Sequence, residues 1–554
     1  MRPQHLLLLL LNLEFGTGAS PPNVLFFLSE SLDGRLLRPD SPAKIPNIRA
    51  LQARGVTFDT AYSNNPVCAP SRSSLWSGRA PHRIPHTHNG FFVPGVYNNY
   101  EGLPPPPSPV SVRLDQLLAR SAANFSVQIA GKTDWDIGSH TETCLLSSIS
   151  FNVRWPYNIT ADGGWNEEDS TCATPGPVEP GGSAGPSGSA YGNDWRLVAR
   201  TSAFVASAPQ PFFANLATSI LHPPYATTQY WYDRTPADLS VGPAWAPLSA
   251  LHPCDLQAAM KRGCTPGELN ASAHAAFYDE ARRRRVRRIY LAELEEYDAM
   301  VGAVVASLGA RAADTLIILA ADHGDMQLEH QLFYKMMPYD GSARIPLVVA
   351  GAGVAEPGRT VAQPVQLLDI LPTVLTAAGV AVPAYADGYA LQPFLAGAAA
   401  DPARPPAVAS QNHDEDISMS WFMATDGAYK LVQYGTGEQV PAQLFNMTAD
   451  PAEMVNLLVP GDAAAKAIAA RLDALLRAEI DYPSVAREVA LYQRQQFGWW
   501  VSNQTDWKKE IASGDVRWQQ AWARHPEAAL AAAEAFLATN GSLILAGDGS
   551  LANI

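Results

Sequence analysis

Residues 23–28 read Asn23-Val24-Leu25-Phe26-Phe27-Leu28, a continuous apolar run that follows the pair Pro21-Pro22. A strand that is apolar at successive positions, rather than at alternate ones, is covered on both faces, as central strands of parallel sheets are. Polar residues follow at once in Ser29-Glu30-Ser31-Leu32-Asp33-Gly34. The arrangement recurs where the run from Thr315 to Ala321 meets Asp322-His323-Gly324, and where Phe212 to Ile220 meets Leu221-His222-Pro223. Ligands of open α/β sheets gather at the carboxyl ends of strands. The three runs therefore predict one shared site at one edge of one sheet.

Helical patterns lie between them. Residues 47–54 end at Gly55, a helix-stop signal, and within 273–308 Val286, Tyr290, Leu294, Tyr297 and Val301 recur at helical spacing. This alternation predicts an α/β catalytic domain over 21–400, a large mixed sheet sandwiched by helices. Residues 175–190 are Gly/Pro/Ser-rich and read as an exposed loop, and 397–406 read as a linker. Beyond the linker, short strands within 421–457 and a helix over 462–479 predict a smaller α+β domain spanning 401–554, with a further helix over 515–537.

The bulk properties narrow the function. The chain has 554 residues and a formal net charge of −14, so it lacks the basic balance of a nucleic-acid binder. Residues 1–20 read as a signal peptide, with an apolar run from Leu6 to Leu11 that is too short to span a bilayer and small residues at Gly16, Gly18, Ala19 and Ser20. No later stretch suits a membrane span. Asn-x-Ser/Thr triplets at Asn124, Asn158, Asn270, Asn446, Asn503 and Asn540 fit a secretory route. The cysteines are Cys68, Cys144, Cys172, Cys254 and Cys264. Their odd number leaves one thiol over in an oxidising compartment. Two disulfides and one remaining thiol fit that count, with Cys254–Cys264 and Cys144–Cys172 the expected pairings.

Cys68-Ala69-Pro70-Ser71-Arg72 resembles the C-x-P-S-R signature of the sulfatase family. Gly131-Lys132, His222, Asp322-His323-Gly324, Lys335, the run Leu367 to Thr373 and the run Leu444 to Pro451 follow in sulfatase order. Ser31-Leu32-Asp33-Gly34-Arg35, Gly131-Lys132-Thr133-Asp134, Phe333-Tyr334-Lys335-Met336 and Arg517-Trp518-Gln519-Gln520-Ala521-Trp522 narrow the resemblance to one branch of that family. The matching pieces run from about residue 22 to about residue 540. The resemblance implies an alkaline phosphatase-like fold and hydrolysis of a sulfate ester.

It also implies the chemistry. A formylglycine-generating enzyme would oxidise Cys68 to an aldehyde, which hydrates to a geminal diol. One hydroxyl would attack sulfur, and loss of the proton from the other would later expel sulfate. A calcium ion would be held by Glu30, residue 68, Asp322 and His323. Oxygen donors suit such a hard cation, although a histidine nitrogen is unusual for it. Glu30 stands where the family usually has Asp, and Ser31 where many members have a further Asp. Arg72, Lys132 and Lys335 would clamp anionic oxygens. His222 would protonate the leaving oxygen, with His140 a second candidate, and His413 would line the substrate pocket.

The branch implies a sulfated carbohydrate substrate, a 2-sulfated uronate at the end of a glycosaminoglycan chain, and a lysosomal or exported enzyme. Two alternatives stay open: a phosphatase or phosphodiesterase of the same fold, and a glycan-binding pseudoenzyme. The run Arg282 to Arg285, with Arg287 and Arg288, reads better as a solvated helix face paired with Glu280, Glu293 and Glu295 than as a polysulfate site.

Overall fold

A computed structural model describes residues 20–88, 91–93, 95–97, 112–135, 178–179, 189–223, 225–240, 251–255, 280–332, 334–411, 420–438, 440–459, 461–503, 505–509, 530–531 and 534. The main sheet has seven strands: β1 (Asn23–Ser29), β2 (Gly55–Phe58), β3 (Ser126–Gly131), β4 (Phe212–Ala217), β5 (Thr315–Ala321), β6 (Leu347–Gly351) and β7 (Arg359–Val361). Their spatial order is β7-β2-β6-β5-β1-β4-β3, and β6 alone of the seven runs against the others. Every residue of β1, β4 and β5 is buried, as their uninterrupted apolar runs require. Each such Leu, Ile or Phe contributes roughly 1.5–3 kcal/mol by leaving water. The expected mixed sheet sandwiched by helices is what the chain forms.

The longer helices that accompany this sheet, among the described residues, are α1 (Pro46–Ala53), α2 (Cys68–Ser77), α3 (Gly192–Ser207), α4 (Glu280–Ser307) and α5 (Ile370–Ala377). On α4, Val286, Tyr290, Leu294, Tyr297 and Val301 are each at most 1% exposed, which confirms the helical period read from the sequence. The charge pairing expected on its surface holds only in part. Arg284 pairs with Glu280 one turn away. Glu293 instead faces inward, where its Oε1 accepts from the Tyr191 hydroxyl at 2.6 Å and the Ala226 N–H at 2.6 Å. Glu295 pairs with Arg234, and Arg287 with Glu329. The reason is geometric: Glu293 and Glu295 lie on the face of α4 that other elements cover.

A second, antiparallel sheet holds β8 (Ala407–Gln411), β9 (Trp421–Thr425), β10 (Tyr429–Tyr434) and β11 (Gln443–Asn446), paired in chain order. α6 (Ala463–Glu479) and α7 (Tyr482–Asn503) follow. A buried charge group ties this part to the first. Lys430 Nζ on β10 donates to Asp340 Oδ1 at 2.5 Å and to Glu453 Oε1 at 2.7 Å, and Arg344 donates to Asp340 Oδ2 at 2.8 Å. Asp340 lies just past Lys335, and Trp421 Nε1 donates to the Met336 carbonyl at 2.9 Å. The smaller sheet thus braces the segment that carries Lys335.

Among the described residues, no helix is long and apolar enough to cross a membrane. Residues 1–19 of the expected leader, Cys144, Cys172 and Cys264 lie outside the described residues, as does most of the tail over 515–537, so neither expected disulfide falls within the described residues.

Candidate active site

Four neighbouring parallel strands, β5, β1, β4 and β3, end at the same edge of the sheet, and each leads into a functional side chain. β1 leads into Glu30, β3 into Lys132, β4 into the turn that carries His222, and β5 into Asp322 and His323. Gly131 lets β3 turn into Lys132. Its φ is +95°, and a Cβ there would lie 1.7 Å from the Ala217 carbonyl oxygen, a position open only to glycine. The His222 turn is fixed by Asp194 of α3, whose Oδ2 accepts from the Ser219 and Ile220 N–H groups at 2.9 and 2.8 Å.

Cys68 opens α2, a helix in which every residue is buried. The amino end of a helix carries partial positive charge and favours an anion beside it. Around Cys68 Sγ lie Lys335 Nζ at 2.5 Å, Glu30 Oε1 at 3.0 Å, Lys132 Nζ at 3.3 Å and His323 Nε2 at 3.4 Å. Sγ marks the place that the oxygens of a hydrated aldehyde would take. Burial and the Glu30 carboxylate oppose ionisation of the thiol, but Lys132, Lys335 and His222 outweigh them and bring it down to about 5.

Arg72 binds the carboxylates together. Its guanidinium donates to Glu30 Oε2 at 2.7 Å, to Asp322 Oδ2 at 2.9 Å and to the Lys132 carbonyl at 2.7 Å. Lys132 Nζ adds a contact to Glu30 Oε2 at 2.9 Å and stands 3.4 Å from Asp134 Oδ2. Burial would raise the Glu30 pKa, yet Lys132 and Arg72 hold it well below the usual carboxylate range. His323 donates from Nδ1 to the Gly324 carbonyl at 2.9 Å, which turns Nε2 toward Cys68. Burial opposes its protonation, but Asp322 outweighs that and pushes it up to about 9.

Glu30, Cys68, Asp322 and His323 form a potential metal centre. One ligand atom from each lies within 4.8 Å of the others, and all four residues are buried. A further observation fits a cation with a taste for oxygen. Ser31 Oγ, fully buried, has no hydrogen-bond partner within the described residues, although burying a hydroxyl unpaired costs about 1–3 kcal/mol. Ser31 also holds a φ of +52°, and its N–H donates to Asp322 Oδ1 at 3.1 Å. The cluster as it stands offers two carboxylates, a thiol and an imidazole; oxygen at residue 68 in place of sulfur would shift the set toward a hard ion such as calcium.

The structure thus gathers Glu30, Cys68, Arg72, Lys132, His222, Asp322, His323 and Lys335 at one place. His140 and His413 lie outside the described residues. Two contributors escaped the sequence reading. Ser71 on α2 donates to the Asp322 carbonyl at 2.5 Å, and its seat inside the Cys68–Arg72 motif was the available signal. Tyr334 hydrogen-bonds His222 Nε2, and nothing in its neighbourhood of sequence points to that partner.

The chain resembles known proteins over most of its length. A profile described as Sulfatase matches residues 22–380, and one described as N-sulphoglucosamine sulphohydrolase, C-terminal matches residues 328–481. Arylsulfatase K of Xenopus laevis is 30% identical over 543 residues, 91% of this chain and 91% of that protein. The Homo sapiens protein of that name is 28% identical, covering 92% and 91%. This is the branch to which the sequence motifs pointed. Among solved structures, a 2-O GAG sulfatase superposes with a TM-score of 0.59 at 22% identity, covering 84% of this chain and 93% of that one. The phosphonate monoester hydrolase of Agrobacterium radiobacter superposes at 0.63 with 21% identity, covering 83% and 96%.

Proposed function

The chain belongs to the sulfatase family and is a sulfuric ester hydrolase, and from that premise we propose that it removes sulfate from a sulfated sugar, a 2-sulfated glucuronate of glycosaminoglycans, at a formylglycine formed from Cys68. The observation that carries this reading is the convergence on Cys68 Sγ of Lys335, Lys132 and Glu30 at 2.5, 3.3 and 3.0 Å. A sulfate monoester is anionic, so its approach requires positive charge placed before it arrives. Lys132, Lys335 and the amino end of α2 supply that charge, and Arg72 holds the carboxylates that would otherwise repel the substrate.

The aldehyde, once hydrated, supplies a hydroxyl that can bond to sulfur and a second hydroxyl whose deprotonation expels sulfate. The chain's own residues do the rest. His222 gives a proton to the leaving oxygen as its bond to sulfur breaks. Lys132 and Lys335 hold the equatorial oxygens as point charges. Glu30, Asp322, residue 68 and His323, with Ser31 beside them, would hold calcium, which polarises the sulfate and orients the nucleophile. Residues 21–400 form the catalytic domain in this reading, and 401–554 the smaller one. The leader and sequons favour passage through the secretory pathway, to a lysosome or outside the cell, with a formylglycine-generating enzyme as maturation partner.

The substrate claim rests on the 30% identity to arylsulfatase K and on the fold shared with a 2-O GAG sulfatase. The test is a release assay on defined sulfated sugars, at acidic and neutral pH, with calcium. Free sulfate from a non-reducing terminal 2-sulfoglucuronate is the expected result. A second reading, phosphonate or phosphate ester hydrolysis, has the fold of the Agrobacterium enzyme in its favour. Faster release from phenyl phosphonates than from any sulfate ester would select it.

A further inference from the structure

His222 follows Leu221, which holds a φ of +77°. Nδ1 of His222 lies against the Pro223 carbonyl. A carbonyl only accepts, so Nδ1 carries the hydrogen in that contact, and Nε2 is the nitrogen left for proton exchange. Nε2 in turn meets the Tyr334 hydroxyl, with the two rings edge-on at 79° and 5.2 Å between centroids. Tyr334 itself sits between charged groups. Lys335 Nζ lies 4.2 Å from its ring centroid, within the range of a cation–π contact. The His323 ring meets it edge-on at 6.3 Å.

Tyr334 holds a φ of +73° and Met336 one of +79°. A non-glycine residue pays roughly 1–3 kcal/mol for such a backbone, and these outliers persist where the surroundings enforce them. Here the enforcing contacts are the Met336 N–H to the Pro66 carbonyl at 3.2 Å and the Met326 N–H to the Tyr334 carbonyl at 2.8 Å. The first ties the Tyr334 segment to the loop just before Cys68.

From this geometry we infer that Tyr334 is a positioning residue for His222: its hydroxyl holds Nε2 of the proton donor beside residue 68. A phenol suits the task because it changes role with the proton. Toward a neutral imidazole it donates its hydrogen, and toward an imidazolium it accepts one. The hydroxyl accepts the single Nε2 hydrogen of the imidazolium until the leaving oxygen takes its place, and donates its own hydrogen to Nε2 once that hydrogen has been transferred, so the ring keeps one orientation before and after the transfer. Without the hydroxyl, the ring keeps only its contact with the neighbouring Pro223 carbonyl and can turn away from the leaving oxygen. The inference rests on the sulfatase reading and adds to it a residue that acts through His222.

The experiment uses the full chain, carrying the modified residue 68, and a series of substituted phenyl sulfates from 4-nitrophenyl sulfate to phenyl sulfate. Help from an acid matters most for the poorest leaving group. Tyr334→Phe is expected to lower kcat for phenyl sulfate roughly 10-fold and for 4-nitrophenyl sulfate less than about 2-fold, with KM little changed. In a His222→Ala background the same substitution is expected to cost nothing further, because the two groups act as one unit. Tyr334→Leu, which also lacks the hydroxyl but packs differently, is expected to show the same leaving-group dependence, so a folding fault in one variant leaves the other to decide. An equal loss across the series, or an undiminished loss in the His222→Ala background, overturns the inference. If the unsubstituted chain releases sulfate from a 2-sulfoglucuronate but not from the phenyl series, the sugar serves as the poor-leaving-group substrate for the same variants; absence of release from both would instead overturn the sulfatase reading itself.

Discussion

Arg72 Nη2 lies 2.7 Å from Glu30 Oε2, and both side chains are wholly buried. Such a pair is costly to desolvate and is held here by extra bonds to Asp322 and to the Lys132 carbonyl. Removing one partner leaves uncompensated buried charge, which costs about 3–5 kcal/mol. Arg72→Ala should therefore lower the unfolding free energy by that order as well as abolish turnover. Arg72→Lys should rescue little, because an ammonium cannot span three acceptors as the planar fork does. Chemical denaturation of both variants checks this; a stability loss below about 1 kcal/mol would show that the pair does not organise the site.

The proposed metal site gives Glu30 the place where the sequence resemblance implies an Asp, one methylene shorter. If it is a cation ligand, Glu30→Asp keeps the charge and retains much of the activity. Glu30→Gln loses half the ligand pair's charge, and its calcium affinity should fall on the order of 100-fold. Calorimetric titration of calcium into metal-stripped protein measures both. Unchanged affinity in Glu30→Gln would remove Glu30 from the metal site.

Gly131→Ala should displace Lys132. The added Cβ would meet the Ala217 carbonyl oxygen at 1.7 Å in a backbone with φ of +95°. The expected outcome is a stability loss of about 2 kcal/mol or more with kcat falling by a larger factor than the stability change explains. Full activity in this variant would mean that Lys132 does not depend on that turn.

Asp255 makes stability depend on pH. It is 4% exposed, and its Oδ2 accepts from the Tyr339 hydroxyl at 2.6 Å. Burial pushes its pKa up to about 7 despite that bond, against about 3.9 for an unfolded Asp. The folded chain thus holds a proton that the unfolded chain has released. The stability this gives is complete below about pH 4 and is lost as pH rises through 7, by roughly 1.4 kcal/mol per unit. Between pH 5 and pH 7 the wild type should lose on the order of 2–3 kcal/mol relative to Asp255→Asn. Parallel unfolding curves at both pH values would contradict the raised pKa.

The sequence disclosed those parts of the fold whose burial is uniform or periodic. β1, β4 and β5 were legible because both faces are covered, and α4 because Val286, Tyr290, Leu294, Tyr297 and Val301 keep the helical period. β3 was not, since Ser126 to Ile129 are only half-buried, and the polar–apolar alternation of Ser126-Val127-Gln128-Ile129 at the sheet's edge is too short to stand out as a strand. α2 was missed as a helix for the opposite reason: Cys68 to Ser77 are all buried, so no polar face marks a period. In the site, the residues that follow strands could be placed at one edge by topology alone. Tyr334 could not, because its link to His222 joins segments that only tertiary structure brings together.

The central claim is that residue 68 becomes an aldehyde that turns over sulfate esters. The direct measurement is mass spectrometry of the peptide spanning Cys68, on protein from cells that contain the modifying enzyme and in a preparation shown to release sulfate. The account predicts the aldehyde or its hydrate at residue 68 in proportion to activity. An active preparation whose residue 68 is entirely the unmodified thiol would contradict it.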